Sequence, residues 1–95
     1  MMKTFVISDL VGNFAENKDD ARDLRVNNLK PLVDKGEKIC LDFKGVDSST
    51  QSFIHALISE FFQENGEDSL GVFEFKNCNK AVQTLITTVI NYSLE

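Results

Sequence analysis

Two glycine-containing breaks, Lys35-Gly36-Glu37 and Asn65-Gly66-Glu67, constrain this 95-residue chain most. They divide it into three units of similar length. In each unit a β-branched or aromatic run comes first, and apolar residues at helical spacing follow. Strands that alternate with helices favour parallel pairing through helical crossovers. The predicted fold is therefore α/β, with three βα units and a small mixed or parallel sheet on which helices pack.

The predicted strands are runs of residues with high strand propensity. Ile39, Cys40 and Leu41 are apolar in succession, which is typical of a central strand that is covered on both faces or nearly so. The short first unit leaves open whether its strand pairs parallel or antiparallel. The three strands are predicted over residues 4–7, 38–43 and 70–75.

The first helix is predicted over residues 21–34, after a polar stretch. Asp19 or Asp20 is its expected N-cap, because a carboxylate accepts hydrogen bonds from free N–H groups and suits the helix dipole. Pro31 lies inside this helix and cannot donate a backbone hydrogen bond. We therefore expect a kink or a break near Lys30.

The other two helices are predicted from apolar residues at positions i, i+3, i+4 and i+7. The second helix ends at Asn65-Gly66. The segment Ser48-Ser49-Thr50-Gln51 supplies candidates for its N-cap, and Ser48 with Gln51 fits the spacing of a capping box. The third begins near Asn77 or Asn79. The apolar positions are Ile54, Leu57, Ile58 and Phe61 in the second helix, and Val82, Leu85, Ile86 and Val89 in the third.

Composition narrows the class of protein. A length of 95 residues corresponds to one domain, residues 1–95, although Leu94-Glu95 could be a remnant of cloning. The formal charge of −5 argues against a nucleic-acid partner, since phosphate binding needs a basic surface. No run approaches the roughly 18 apolar residues of a membrane helix, and no signal peptide is recognised. We expect a cytoplasmic protein in which Cys40 and Cys78 are reduced.

The sequence offers no catalytic constellation, so we predict no enzymatic activity, no metal and no cofactor. Neither a dinucleotide-binding nor a P-loop glycine motif occurs. His55 is the only histidine, and it is expected to be half-exposed on a helix. Asp42 and Asp47 flank the end of the central strand and could bind Mg²⁺ or accept a phosphoryl group there. We favour the alternative, in which Asp42 is a polar residue at the strand edge and Asp47 belongs to a turn.

The segment after the central strand is rich in hydroxyl groups. Its candidate residues for partner binding or phosphorylation are Asp47, Ser48, Ser49, Thr50 and Ser52. Helix capping and turn formation are the simpler explanation of this composition. A phosphoryl group at a helix N-terminus would also meet free N–H groups and the positive end of the dipole. Such a modification would change the charge of any docking surface there.

Two parts of the chain carry a resemblance to a known family. The stretch KICLDFKGVDSSTQSFIHALISEFF resembles the bacterial STAS-like domain family, with LDF at the strand end, then KGV, then TQSF at the start of a helix. The later FEFKNCNKAVQTLI is similar to the third strand and last helix of STAS-type domains. The resemblance covers roughly residues 20–92.

The resemblance implies a regulatory partner, because STAS domains include the anti-sigma-factor antagonists. Those proteins bind a serine kinase of the histidine-kinase ATPase type, and phosphorylation within an Asp-Ser-Ser-Gly element switches them off. Matching by residue identity places the acceptor at Ser48, after Asp47. Matching by spacing from the strand, which keeps the helix faces aligned, places Thr50 at the aspartate, Gln51 at the acceptor and Ser52 after it. The glycine of the element is absent in both registers.

The leading hypothesis is thus a regulatory module that binds such an ATPase partner and is switched by phosphorylation. The alternative is a small-ligand or nucleotide-binding domain without catalysis. An enzyme is a third reading, for which the sequence offers only isolated candidate residues. A structural oligomer subunit is a fourth, which a large exposed apolar patch would favour.

Overall fold

Three strands form one parallel sheet in the computed structural model, which describes residues 2–95. A π-helical turn, Arg25–Leu29, joins the second helix to the third, and a 3₁₀ segment, Gly66–Gly71, follows the fourth. The strands are β1 (Met2–Val6), β2 (Phe14–Ala15), β3 (Lys38–Asp42), β4 (Ser48–Ser49) and β5 (Phe73–Lys76). The helices are α1 (Ile7–Val11), α2 (Lys18–Leu24), α3 (Lys30–Asp34), α4 (Gln51–Asn65) and α5 (Lys80–Ser93).

The strand order of the sheet is β1-β3-β5, so β3 is central as predicted. Its register places Ile39 between Lys3 of β1 and Phe73 of β5. Both pairings are parallel, which settles the direction of the first strand. The predicted α/β architecture of three βα units is confirmed. The two short strands β2 and β4 pair separately, also in parallel.

The sheet packs its core on one face. Ile39 and Leu41 are fully buried in the hydrophobic cluster, whereas Cys40 points to the opposite face, between Thr4 and Glu74. No described residue of that opposite face belongs to the cluster. Cys40 is only 3% exposed, but side chains of the neighbouring strands lie beside it. The apolar residues of β3 are therefore buried on both faces, as expected. On the Cys40 face, however, side chains of the neighbouring strands provide the burial, and the hydrophobic cluster does not.

Helix α4 lies between α2 and α5, and it supplies much of the core. All four apolar positions predicted from its spacing are buried, with at most 2% exposure. In α5 three of the four predicted positions are buried and Leu85 is half-buried. Burial of large apolar side chains is the main favourable term for a chain of this size.

Pro31 has the predicted effect on the first helix. The proline ring excludes the regular hydrogen bond to the carbonyl of Asn27 and would clash with it. The chain widens into the π-helical turn just before, where Lys30 N–H bonds to Arg25 O, five residues back. Pro31 then lies in the first turn of α3, where a missing N–H costs little.

The predicted cap of the first helix is wrong, and in α4 one of the predicted candidates is the cap. The first helix begins at Lys18, earlier than predicted, and the side chain of Asn17 accepts from the N–H groups of Asp19 and Asp20. Neither aspartate is the cap, because the extended backbone that a cap requires occurs at Asn17. In α4 the cap is Thr50, one of the candidates from the sequence. The capping box that begins at Ser48 does not form, because residues 48–49 are held in β4.

Strand boundaries differ from the prediction at both edges of the sheet. Strand β1 ends at Val6, since the chain turns directly into α1, and the polar stretch after it also contains β2. Strand β5 begins at Phe73 because the residues before it form the 3₁₀ segment. Ser69 anchors that segment by donating its hydroxyl to the carbonyl of Phe61 at 2.9 Å.

Within residues 2–95, none of the helices combines the length and the apolar character that crossing a bilayer requires. Cys40 is buried, Cys78 is half-buried, and both are free thiols. His55 is exposed on α4, more so than predicted.

Candidate functional site

The hydroxyl-rich loop, residues 44–50, connects β3 to α4 at the carboxyl end of the sheet, where α/β proteins place their sites. Ser8, which follows β1, donates its hydroxyl to the carbonyl of Lys44 at 2.8 Å. Gly45 has a φ of +85°, and a Cβ there would lie 3.0 Å from the Ser8 hydroxyl. A glycine is therefore required where the loop passes over the end of β1.

Asp47 is held by two asparagines from distant parts of the chain. Asn13 donates its side-chain amide to the Asp47 carboxylate at 3.2 Å and accepts from the Asp47 backbone N–H at 2.8 Å. Asn79 donates its side-chain amide to the backbone carbonyl of Asp47 at 2.7 Å. The side-chain Oδ1 of Asn79 accepts from the Val82 N–H at 2.9 Å and so caps α5. Asp47 thus belongs to a turn, as favoured from the sequence, and it ties the loop to α5.

The two serines of β4 have different environments. Ser49 is half-buried, and its hydroxyl donates to the carbonyl of Ala15 at 2.9 Å. Ser48 pairs with Phe14 in the short parallel ladder and is exposed. The Ser48 hydroxyl makes no hydrogen bond with the part of the chain that the structure describes. Ser48 is thus the more accessible of the two.

Thr50 is the N-cap of α4. Its Oγ1 accepts from the Phe53 N–H at 3.1 Å, and its own N–H donates to the Ala15 carbonyl at 2.9 Å. Ser52 is the second residue of α4 and is exposed, with Thr50 Oγ1 lying 3.3 Å from its Oγ. The Thr50 hydroxyl is engaged in the fold, whereas the Ser52 side chain is exposed in the first turn of the helix and, among residues 2–95, hydrogen-bonds only with the Thr50 hydroxyl.

The structure thus brings the five predicted site residues together at one edge of the sheet and sorts them by accessibility. Ser48 and Ser52 are exposed hydroxyls, while the hydroxyls of Ser49 and Thr50 hold backbone groups. Asp47 is exposed but tied at its backbone.

Asp42 lies beside this loop and has a structural role. Its Oδ1 accepts from the Asn77 side chain at 3.0 Å and from the Lys44 N–H at 2.9 Å. These two hydrogen bonds, the Asn77 bond first, hold the pKa of the Asp42 carboxyl below its usual value of 3.8. No cluster of three or more potential metal ligands occurs among residues 2–95.

Several residues of this edge were not identified from the sequence. Leu10 and Phe14 are 54% and 45% exposed, on the adjoining segments α1 and β2. Asn13 and Ser8 anchor the loop from more than thirty residues away. Asn13 next to Gly12 indicates only a turn, so the long-range contacts of Asn13 and Ser8 have no local signal in the sequence.

A groove with a volume of about 380 Å³ lies between β5 and α5. Its walls include Phe73, Phe75, Ile86 and Ile90, together with the polar residues Asn77 and Gln83. No lysine or arginine lines it. The groove therefore offers no cation for a nucleotide phosphate, and its lining mixes apolar side chains with polar ones.

Comparison with known proteins identifies a family but no individual curated protein or solved structure. The model of the STAS-like domain of unknown function (DUF4325) matches residues 20–83, from α2 into α5, which includes the hydroxyl-rich loop. No curated protein and no solved structure matches the chain. Because the family model covers about two thirds of the sequence, this chain belongs to the family of STAS-like domains.

Proposed function

We propose that this chain is a regulatory protein-binding module, not an enzyme, that docks a signalling ATPase through the carboxyl edge of its sheet. The observation that carries the proposal is the pairing of Phe14, 45% exposed, with the exposed Ser48 at that edge. An exposed aromatic ring beside accessible hydroxyls gives a partner both an apolar anchor and a modifiable group.

The surroundings of Phe14 define the chemistry of the partner. Leu10 adds a second exposed apolar side chain on the adjoining helix α1. The exposed acidic residues on the same segments of the chain are Asp9, Glu16, Asp19, Asp20 and Asp47. Lys18 and Lys44 are also exposed there, so the acidic residues only outnumber the basic ones. An apolar centre with a net acidic rim fits a partner that presents an apolar pocket with lysine or arginine around it.

The family resemblance supports a particular class of partner. STAS domains of the anti-sigma-factor antagonist type bind an ATPase of the histidine-kinase type, and the matched segment 20–83 includes the corresponding loop. We therefore propose such an ATPase, acting as a serine kinase, as the partner.

Ser52 is the proposed phosphorylation site. It is exposed in the first turn of α4, and the first N–H groups of a helix have no intrahelical acceptor. A phosphoryl group on its Oγ would accept hydrogen bonds from those groups and would add about −1.5 to −2 of charge. On a surface already acidic, this charge would change the affinity for the partner.

The test is affinity capture from the protein's own cells with ATP present, using the wild type, Phe14→Ser and Tyr92→Ser as baits. Tyr92 is 64% exposed near the end of α5 and serves as the matched control. We expect a histidine-kinase-type ATPase with the wild type and with Tyr92→Ser, and its loss with Phe14→Ser. Direct titration of the purified ATPase should reproduce this order of affinities.

Four results would contradict the proposal, two of them its docking surface and two its phosphorylation site. If no such ATPase binds, or if Phe14→Ser binds as well as the control, the docking surface is wrong. Intact mass of the recovered bait reports the modification separately. A bait that carries no phosphoryl group, or a Ser52→Ala bait that still gains one, excludes the switch at Ser52 and leaves the docking proposal standing.

A further inference from the structure

Strand β5 leaves one side of its backbone free. The carbonyls of Val72 and Lys76 accept from the β3 side, from Ile39 and Phe43 at 2.8 Å each. Because backbone polar groups of successive strand residues point to alternate sides, Phe73 and Phe75 present their N–H and C=O groups away from β3. Nothing within residues 2–95 pairs with this side of β5, which is an edge of the sheet. An edge of this kind can accept a further strand.

Apolar surface adjoins the free edge. The groove of about 380 Å³ runs between β5 and α5, with Phe73 and Phe75 in its wall. Leu70, which also lines the groove, is 53% exposed just before the strand. A strand added to β5 would therefore satisfy backbone groups and cover apolar side chains together.

The order of charges along β5 indicates that the added strand is β5 of a second copy of this chain. When two copies of a strand pair antiparallel in one continuous sheet, residues directly opposite each other point to the same face. A pairing centred on Phe75 places Phe75 opposite its copy and Glu74 opposite Lys76 of the other chain, twice. A pairing centred on Glu74 instead places two glutamates against each other. Only the first register gains two ion pairs.

Backbone geometry agrees with the register centred on Phe75. Phe75 presents its N–H and C=O to the free side, so it would exchange two hydrogen bonds with its copy. Glu74 and Lys76 then form the closely spaced, non-hydrogen-bonded pairs, in which opposite side chains are nearest. Both side chains are exposed, and neither forms a salt bridge within residues 2–95. The other sheet edge, β1, contains Lys3 as its only charge and gains no such pair.

We infer that two copies of this chain associate through β5, antiparallel and centred on Phe75, to give a continuous six-stranded sheet. The shared strand segment is short, because Asn77 has a φ of +58° and turns the chain away from the sheet. A short interface makes a weak dimer, so association is expected at concentrations of about 0.1–1 mM.

Sedimentation equilibrium over that range tests the inference with charge-exchange variants. Glu74→Lys alone and Lys76→Glu alone place like charges opposite each other, and each should weaken dimerisation about tenfold. The double variant Glu74→Lys/Lys76→Glu restores opposite charges and should regain the wild-type dissociation constant. Far-UV circular dichroism of all three variants controls for folding.

Residue-specific evidence comes from amide NMR during dilution of the wild type. The amide signals of residues 73–77 should shift with concentration, and the Phe75 N–H should exchange faster in the monomer. A chain that stays monomeric up to about 1 mM would overturn the inference. So would a dimer that the single charge variants leave unchanged, or concentration-dependent shifts confined to residues 2–6.

Discussion

Replacing Thr50 by alanine isolates the structural role of the hydroxyl that caps α4. In the wild type, Thr50 Oγ1 accepts from the part-buried N–H of Phe53 at 3.1 Å. Loss of an N-cap side chain costs about 1 kcal/mol, with a range of about 0.5–2 kcal/mol. Because the Phe53 N–H is shielded from water, we expect the upper half of that range, about 1.5 kcal/mol. For a domain of this size the melting temperature should fall by roughly 6–12 °C.

Thr50→Ser is the matched control, since it keeps Oγ and removes only the methyl group. Its free energy of unfolding should stay within about 0.5 kcal/mol of the wild type. Urea unfolding followed by circular dichroism measures both values by linear extrapolation. If Thr50→Ala is as stable as Thr50→Ser, the hydroxyl does not cap the helix in solution, and the assignment of Thr50 as a structural residue is refuted.

Three further predictions concern stability. The folded-state pKa of Asp42 is lowered, so its hydrogen bonds stabilise the fold above pH 3.8 and stop doing so as pH falls through the folded-state pKa. Unfolding of Asp42→Asn and wild type as a function of pH should show a stability difference that shrinks at acidic pH, and a constant difference would contradict this. Leu57→Ala, at a fully buried position, should lower the unfolding free energy by about 2–5 kcal/mol in urea titrations, and a loss below about 1 kcal/mol would refute its core position. Gly45→Ala should be less stable than Gly12→Ala in thermal unfolding although both have positive φ, because only the Gly45 variant meets the Ser8 hydroxyl; equal losses would rule that contact out.

The sequence predicts the helices better than their ends. Apolar spacing identified α4 and α5 because burial of one helix face requires that spacing. The cap at Asn17 was missed, and Thr50 could not be singled out from its neighbours, because several adjacent polar residues have the same capping propensity. Only the backbone conformation chooses among them, and it depends on where the preceding chain runs.

The sequence predicted where the candidate site lies in the fold, but not which of its hydroxyl groups are exposed. A polar loop after a central strand lies at the carboxyl edge of a parallel sheet by topology alone. Which hydroxyls are free depends on contacts such as Ser49 with Ala15, which join residues far apart in sequence. The exposure of Phe14 could not be predicted either. It follows from the short β2–β4 ladder, and no pattern in the sequence indicates that ladder.

The central position of β3 has a consequence for how the chain folds. Both of its neighbours come from distant segments, since Met2 pairs with Lys38 and Ile39 pairs with Phe73. Closing such long loops costs chain entropy before any strand contact is gained, so helical segments can form on a faster timescale than the sheet. Until both partners arrive, the run Ile39-Cys40-Leu41 remains unpaired and apolar. During this interval the nascent protein is most prone to aggregation. The duration of the interval should depend on how soon α4 can pack against the strand.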